Sequence, residues 1–98
     1  MSDEHSDKAF RGRADQFIHL ANEQSSDETH EKVNASLLYA GARYSSFIVA
    51  SMSGGVEEMK KDKDEAIQYF TEQFKAMLVE NLNDHITNYD RYIKTTSH

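Results

Sequence analysis

Residues 33–53 read VNASLLYAGARYSSFIVASMS, and Arg43 is the only side chain among them that carries a charge at neutral pH. Read as a helix at about 100° per residue, the stretch has one broad face of apolar and small side chains that runs from Val33 to Ser51. A second face beside it consists of Leu38, Ala42, Ser45, Val49 and Met52. An ordinary surface helix needs an apolar stripe of roughly 100°, and this arc is about twice as wide. The segment therefore needs partners on two sides.

A first helix is predicted over about residues 6–22, with Ser6 as its cap. Its apolar side chains recur at helical spacing and define one face that we expect to be buried. These side chains are Phe10, Ala14, Phe17, Ile18 and Ala21, with Leu20 at the edge. Ser25 and Glu28 have the spacing of a capping box, which predicts that helix 2 begins at about residue 26 and runs to residue 53. Gly54 and Gly55 then close it, because a left-handed residue at a helix end is most easily glycine.

A third helix is predicted over about residues 56–93, after a charged stretch from Glu57 to Glu65. Its apolar stripe is the longest in the chain and also contains Asn81 and His85. The other members are Ile67, Phe70, Phe74, Met77, Leu78, Leu82, Tyr89 and Tyr92. An unbroken helix of this length spans about 57 Å, which no single short helix can cover. Either it breaks between Asn81 and Asp84 to give a short fourth helix, or its overhang packs on something else.

The fold class that follows is all-α, an antiparallel three-helix bundle in one domain with helix 2 in the middle. The chain has 98 residues and no proline, and no strand-like alternation extends over more than a few residues. Residues 1–5 are expected to form a disordered acidic tip, and residues 95–98 are expected to fray.

Charge narrows the classes of partner. Seventeen acidic residues against eleven basic ones give a net charge of −6, which repels the phosphates of nucleic acids and anionic membranes. There is no cysteine for a disulfide or a thiolate site, the first residues lack the pattern of a secretion signal, and no segment is apolar enough to span a membrane. The sequence thus predicts a cytoplasmic protein whose partner is a protein, either another chain or a like chain in a homodimer.

Motifs for catalysis or for binding a metal or cofactor are missing. No Glu-x-x-His or His-Glu-x-x-His pattern occurs, and the four glycines match neither a phosphate loop nor a dinucleotide fingerprint. Asp15 with His19, and Asp27 with His30, are typical of surface and capping pairs. We therefore predict a protein that is not an enzyme and needs no cofactor or metal.

The leading functional prediction is an interaction or oligomerisation module. The second face of helix 2 is expected either to form a packing surface within the chain or to dock a partner. Arg43 is interpreted as the solvated edge of helix 2, or else as an anchor for a carboxylate on a partner chain. The rival prediction is a ligand-binding or catalytic bundle with a polar site near Tyr44, Asn81 and His85.

Three blocks of the sequence resemble a small proteobacterial family catalogued as domain of unknown function 3144. The first block contains Phe10, Arg13-Ala14-Asp15, Phe17-Ile18 and Leu20-Ala21-Asn22, and the middle block contains residues 33–40 with Ala42-Arg43-Tyr44. The last contains residues 64–70, Glu72-Gln73, Met77-Leu78, Glu80-Asn81-Leu82 and Asp84. The resemblance extends over about residues 8–90. It implies a compact bacterial helical protein, and it carries over no activity, cofactor or active-site residue.

Overall fold

The computed structural model describes residues 3–94, and the side chains of residues 7–93. Three main helices follow one another: α1 from Asp3–Gln24, α2 from His30–Met52 and α3 from Val56–Thr87. A short π-helical segment, Asp90–Lys94, comes last. No strand occurs among residues 3–94. The predicted all-α fold class, with a long third helix and a short fourth, is confirmed.

The described chain divides into two compact units. Unit 1 spans Met1–Ile48 and unit 2 spans Val49–His98, so that α2 contributes its last four residues to the second unit. In unit 1, α1 packs against α2, and the side chains that come closest to burial there are mostly small. They are Ala14, Ala21, Ser25, Val33, Ser45 and Ile48.

Helix α2 begins at His30, later than the capping-box pattern predicts. The hydroxyl of Thr29 accepts a hydrogen bond from the backbone N–H of Lys32 at 3.2 Å, which makes Thr29 the N-terminal cap. Ser25 instead continues the end of α1, because its backbone N–H and its hydroxyl both donate to the carbonyl of Ala21. Glu28 stabilises the start of α2 by an ion pair of 3.5 Å with Lys32.

The end of α2 differs from the prediction in its chemistry. Neither Gly54 nor Gly55 adopts a left-handed conformation, and Gly55 is extended, with φ 162° and ψ −179°. Ser53 takes over the capping, since its N–H and its hydroxyl donate to the carbonyl of Val49 at 3.0 and 2.8 Å. The Ser53 hydroxyl also lies 3.4 Å from a carboxylate oxygen of Asp62 on α3.

Helix α3 is continuous through residues 81–84, where a break was one of the two predicted alternatives, and it ends at Thr87 instead of about residue 93. Asn88 follows the last residue of the helix. Its backbone N–H donates a hydrogen bond of 2.9 Å to the carbonyl of Asp84, and its side-chain amide donates one of 2.8 Å to a carboxylate oxygen of Asp84. The acidic start of the chain is helical from Asp3, where a disordered tip was predicted. Residues 1–2 and the predicted frayed end, 95–98, lie outside the described residues.

Candidate interaction surface

The side chains of residues 7–93 include only one that is buried, Val33, which retains 7% of its exposure. Twenty-three large hydrophobic side chains in the same range are between 37% and 81% exposed. On α1 they include Phe10, Phe17, Ile18 and Leu20, so the face that the sequence predicted to be buried has only its two alanines half-buried. The helices carry apolar faces, as predicted, but those faces are largely uncovered.

The second face of α2 is only partly covered. Leu38 is 49% and Met52 is 81% exposed, Ala42 is also exposed, and Ser45 and Val49 are half-buried. Leu38, Ala42 and Ser45 belong to unit 1, whereas Val49 and Met52 belong to unit 2. Tyr44 and Phe47 of the first face are exposed as well. The sequence predicts that α2 needs packing partners on two sides, and neither unit by itself covers both of its apolar faces.

Helix α3 contains no buried side chain. Its apolar residues lie mostly on one side and form what we call the α3 stripe. The members of the α3 stripe are Ile67, Phe70, Phe74, Met77, Leu78, Asn81, Leu82 and His85. All eight are exposed, and six of them are large and apolar.

The polar candidates are divided between the two units. Arg43 and Tyr44 lie in unit 1, and Asn81 and His85 lie in unit 2. Each is exposed within the described part of the chain. The Asn81 amide donates to the backbone carbonyl of Met77 at 2.7 Å, and the ring of His85 meets the ring of Tyr92 edge-on at 4.8 Å. The polar site near Tyr44, Asn81 and His85 stays a prediction.

A polar cluster at the end of α3 was missed by the sequence reasoning. The Asp84 carboxylate accepts hydrogen bonds from the Asn88 amide at 2.8 Å and from the Tyr92 hydroxyl at 3.0 Å. The hydrogen bond and the negative charge of Asp84 both raise the pKa of Tyr92 above its ordinary value of 10.0. The i,i+4 spacing of Asp84 and Asn88 is a usable signal, but Tyr92 reaches Asp84 only because the backbone changes to a π-helix at Asp90.

Other features of the described residues point to no chemistry. An open depression of about 330 Å³ is lined by Ile86, Thr87, Asn88, Tyr89, Asp90 and Arg91. The ion pairs found among residues 7–93 join side chains three or four residues apart in the sequence, such as Arg11 with Asp7. Exposed pairs of this kind stabilise a helix by only about 0.3–0.5 kcal/mol. Nowhere in that range do three histidine or acidic side chains come together as metal ligands would.

The helices of the described chain also include none that is both long enough and apolar enough to cross a membrane.

Comparison with known proteins gives a family but no activity. The sequence profile of a protein family of unknown function, DUF3144, matches residues 10–86. An NMR structure of the protein NB7890A from Shewanella sp. is similar to this chain, with 34% sequence identity and a TM-score of 0.73. The similarity covers 89% of this chain and 93% of that one. Among curated proteins, none matches. The family resemblance seen in the sequence is confirmed, and the chain belongs to the DUF3144 family.

Proposed function

We propose that this DUF3144 protein is a non-enzymatic self-association module, in which a second copy of the chain covers the apolar faces that one copy leaves exposed. The observation that carries this proposal is that Val33 alone is buried among the side chains of residues 7–93. The proposal includes the cytoplasmic location that the acidic, cysteine-free sequence favours.

The energetics of a single chain support association. Fixing the backbone of one residue costs about 1–2 kcal/mol, and most of the stability of a helix in a protein comes from packing of its apolar face. Full burial of a Leu, Ile or Phe side chain returns about 1.5–3 kcal/mol. Val33 alone is buried among the side chains of residues 7–93, and the large apolar side chains there are only partly covered, so burial within one chain contributes only part of this stabilisation. Burial of the apolar side chains against another copy supplies the rest of the stabilisation.

The exposed apolar area of one chain is large enough for a homodimer interface. A large side chain that is about half exposed leaves on the order of 90 Å² uncovered, so the 23 exposed residues leave roughly 2,000 Å² per chain. Obligate homodimers bury about 2,000–5,000 Å² in total, counted over both chains. One like partner is therefore sufficient, and it is present wherever the chain itself is made.

Charge favours a protein partner over nucleic acid. The net charge is −6, and Arg11, Lys32, Lys60 and Lys61 each form an ion pair with an acidic side chain three or four residues away. A net negative charge is repelled by a phosphate backbone.

The experiment is light scattering of the native chain from low micromolar to high micromolar concentration, combined with thermal unfolding at the same concentrations. We expect a stable mass of twice the 11.2 kDa chain, and an unfolding midpoint that rises with concentration because folding and association are linked. A chain that is monomeric and unfolds cooperatively at one midpoint throughout this range would contradict the proposal.

A further inference from the structure

We infer that the central contact of the self-association is made by α3, which pairs antiparallel with α3 of a second copy about a two-fold axis level with Ala76. The inference rests on the proposed function and adds to it the surface, the orientation and the register of the contact.

The length of α3 points to a second α3 as its cover. Helix α3 has 32 residues, or about 48 Å, whereas α1 and α2 have 22 and 23 residues, or about 33 and 35 Å. The six large apolar members of the α3 stripe expose between 37% and 54% of their surface, which amounts to roughly 550 Å². A standard interface buries about 800 Å² per partner. The α3 stripe therefore provides most of such an interface by itself.

The orientation follows from the charged start of α3. At 100° per residue, Lys60 and Lys63 fall on the same side of the helix as the α3 stripe. A parallel pair would place each of these lysines beside its own copy, and like charges in contact destabilise a helix pair. An antiparallel pair overlaps only the apolar parts, and the lysines of the two copies then lie at opposite ends.

The register follows from the positions of the apolar side chains. A two-fold axis level with Ala76, midway between Ile67 and His85, sets Phe74 level with the partner's Leu78. The same axis sets Phe70 level with the partner's Leu82. These two pairings bring large apolar groups together on both sides of the axis, as close packing of helix ridges requires.

The polar residue inside the α3 stripe fits the same register. Asn81 comes level with the partner's Thr71, another polar residue on this side of the helix. The Asn81 amide already donates to the carbonyl of Met77 at 2.7 Å, which leaves its carbonyl oxygen to accept from a threonine hydroxyl. A polar contact enclosed by apolar side chains fixes register, because slippage leaves it unpaired.

The test uses single cysteines, which have no background because the chain contains none. Phe70→Cys and Leu82→Cys proteins are mixed and oxidised, and each is also oxidised alone. We expect a disulfide-linked dimer from the mixture and none from either protein alone. In the proposed register, residue 70 lies about 18 Å along the axis from its own copy, and a disulfide needs Cα atoms within about 7 Å.

A control pair is Glu72→Cys with Glu80→Cys, which also come level with each other about the axis but lie on the far side of α3. We expect no cross-link from that mixture. Phe70→Cys and Leu82→Cys both remove apolar surface from the α3 stripe. Thr71→Cys mixed with Asn81→Cys is therefore a second test pair, which keeps that apolar surface. A cross-link from the mixture of Phe70→Cys with Leu82→Cys, or from the mixture of Thr71→Cys with Asn81→Cys, supports the register.

Light scattering of the same samples separates the two proposals. Dimers that cross-link in neither of the two test mixtures, or that cross-link from Phe70→Cys alone, would overturn the antiparallel α3 pair and leave self-association standing. A native chain that is monomeric would overturn both.

Discussion

The hydroxyl of Tyr92 donates a hydrogen bond of 3.0 Å to the carboxylate of Asp84, two helical turns before it in the sequence. The ring of Tyr92 also packs edge-on against His85, with the ring centres 4.8 Å apart and the planes at 72°. These contacts tie the π-helical segment Asp90–Lys94 to the last turn of α3. They hold that segment in place although Tyr92 itself is exposed.

The Tyr92 contact predicts a specific effect of pH. The hydrogen bond to Asp84 keeps the phenol neutral and raises its pKa above 10.0, so its contribution to stability is complete below about pH 10. The contribution is lost as the pH rises through the raised pKa, when two negative charges face each other. Titration of the native chain and of Tyr92→Phe by tyrosinate absorbance gives the Tyr92 pKa by difference.

The change that tests the cause is Asp84→Asn. We expect it to return the pKa of Tyr92 towards its ordinary value, since an amide carries no charge to oppose the phenolate. Glu80→Gln on the same helix is the control and leaves the titration unchanged. If Tyr92 titrates identically with and without the Asp84 charge, the hydrogen bond does not control the phenol.

Val49 tests the second face of α2. A buried aspartate is costly in an apolar contact, so Val49→Asp is expected to weaken self-association at least tenfold, or by about 1.4 kcal/mol. Ala50→Asp, on the strip of α2 that faces water, is the matched control, and we expect it to change the strength of self-association little. Circular dichroism and light scattering over concentration measure both helicity and mass.

At high concentration, Val49→Asp is expected to recover the helicity of the native chain. Helicity that stays lost at every concentration would assign Val49 to packing within one chain instead of docking.

Gly41 tests whether another backbone approaches α2. An added Cβ meets nothing within 4 Å at either Gly41 or Gly12, so alanine at both positions fits the chain. In a helix interior, alanine is more favourable than glycine by about 1 kcal/mol. We expect that gain for Gly12→Ala, which lies opposite the apolar face of α1.

For Gly41→Ala we expect the reverse, a loss of about 1–3 kcal/mol, because the methyl group crowds a close contact with the second copy. Denaturant unfolding at one fixed protein concentration compares the two variants. An equal gain at both glycines would show that no backbone approaches Gly41.

Thr29 tests the start of α2. Removal of its hydroxyl leaves the N–H of Lys32 without its partner, and loss of an N-terminal cap costs about 1 kcal/mol. Thr29→Ala should therefore lower the free energy of unfolding by that amount. Ser26→Ala is the control, because the Ser26 hydroxyl donates to an exposed turn carbonyl and changes stability by less than about 0.5 kcal/mol. A Thr29 variant as stable as the control would refute the cap.

The helices were predictable because their signals are local. Spacing of apolar residues at three and four, and the absence of proline, identified all three main helices. The ends were less predictable, since several residues compete to cap them. Thr29 caps α2 although Ser25 and Glu28 have the capping-box spacing, and Asn88 ends α3 a turn after the expected break.

For the candidate sites, the sequence predicted which residues share a helix face but not the contacts that they make. The sequence identified Leu38, Ala42, Ser45, Val49 and Met52 as one side of a helix, and it put Asn81 and His85 within an apolar stripe. It did not show the hydrogen bond from Tyr92 to Asp84, because that contact depends on how the backbone departs from the α-helix after Thr87.

Sequence alone establishes that the chain is helical, acidic and more apolar on its helix faces than one neighbour can cover. Periodicity is a property of each segment, so a single sequence contains it. How little of that apolar surface one chain covers is visible only in its packing, with Val33 buried and residues such as Phe74 and Met52 exposed. Burial depends on what lies against a face, and that is set by contacts between residues far apart in the sequence.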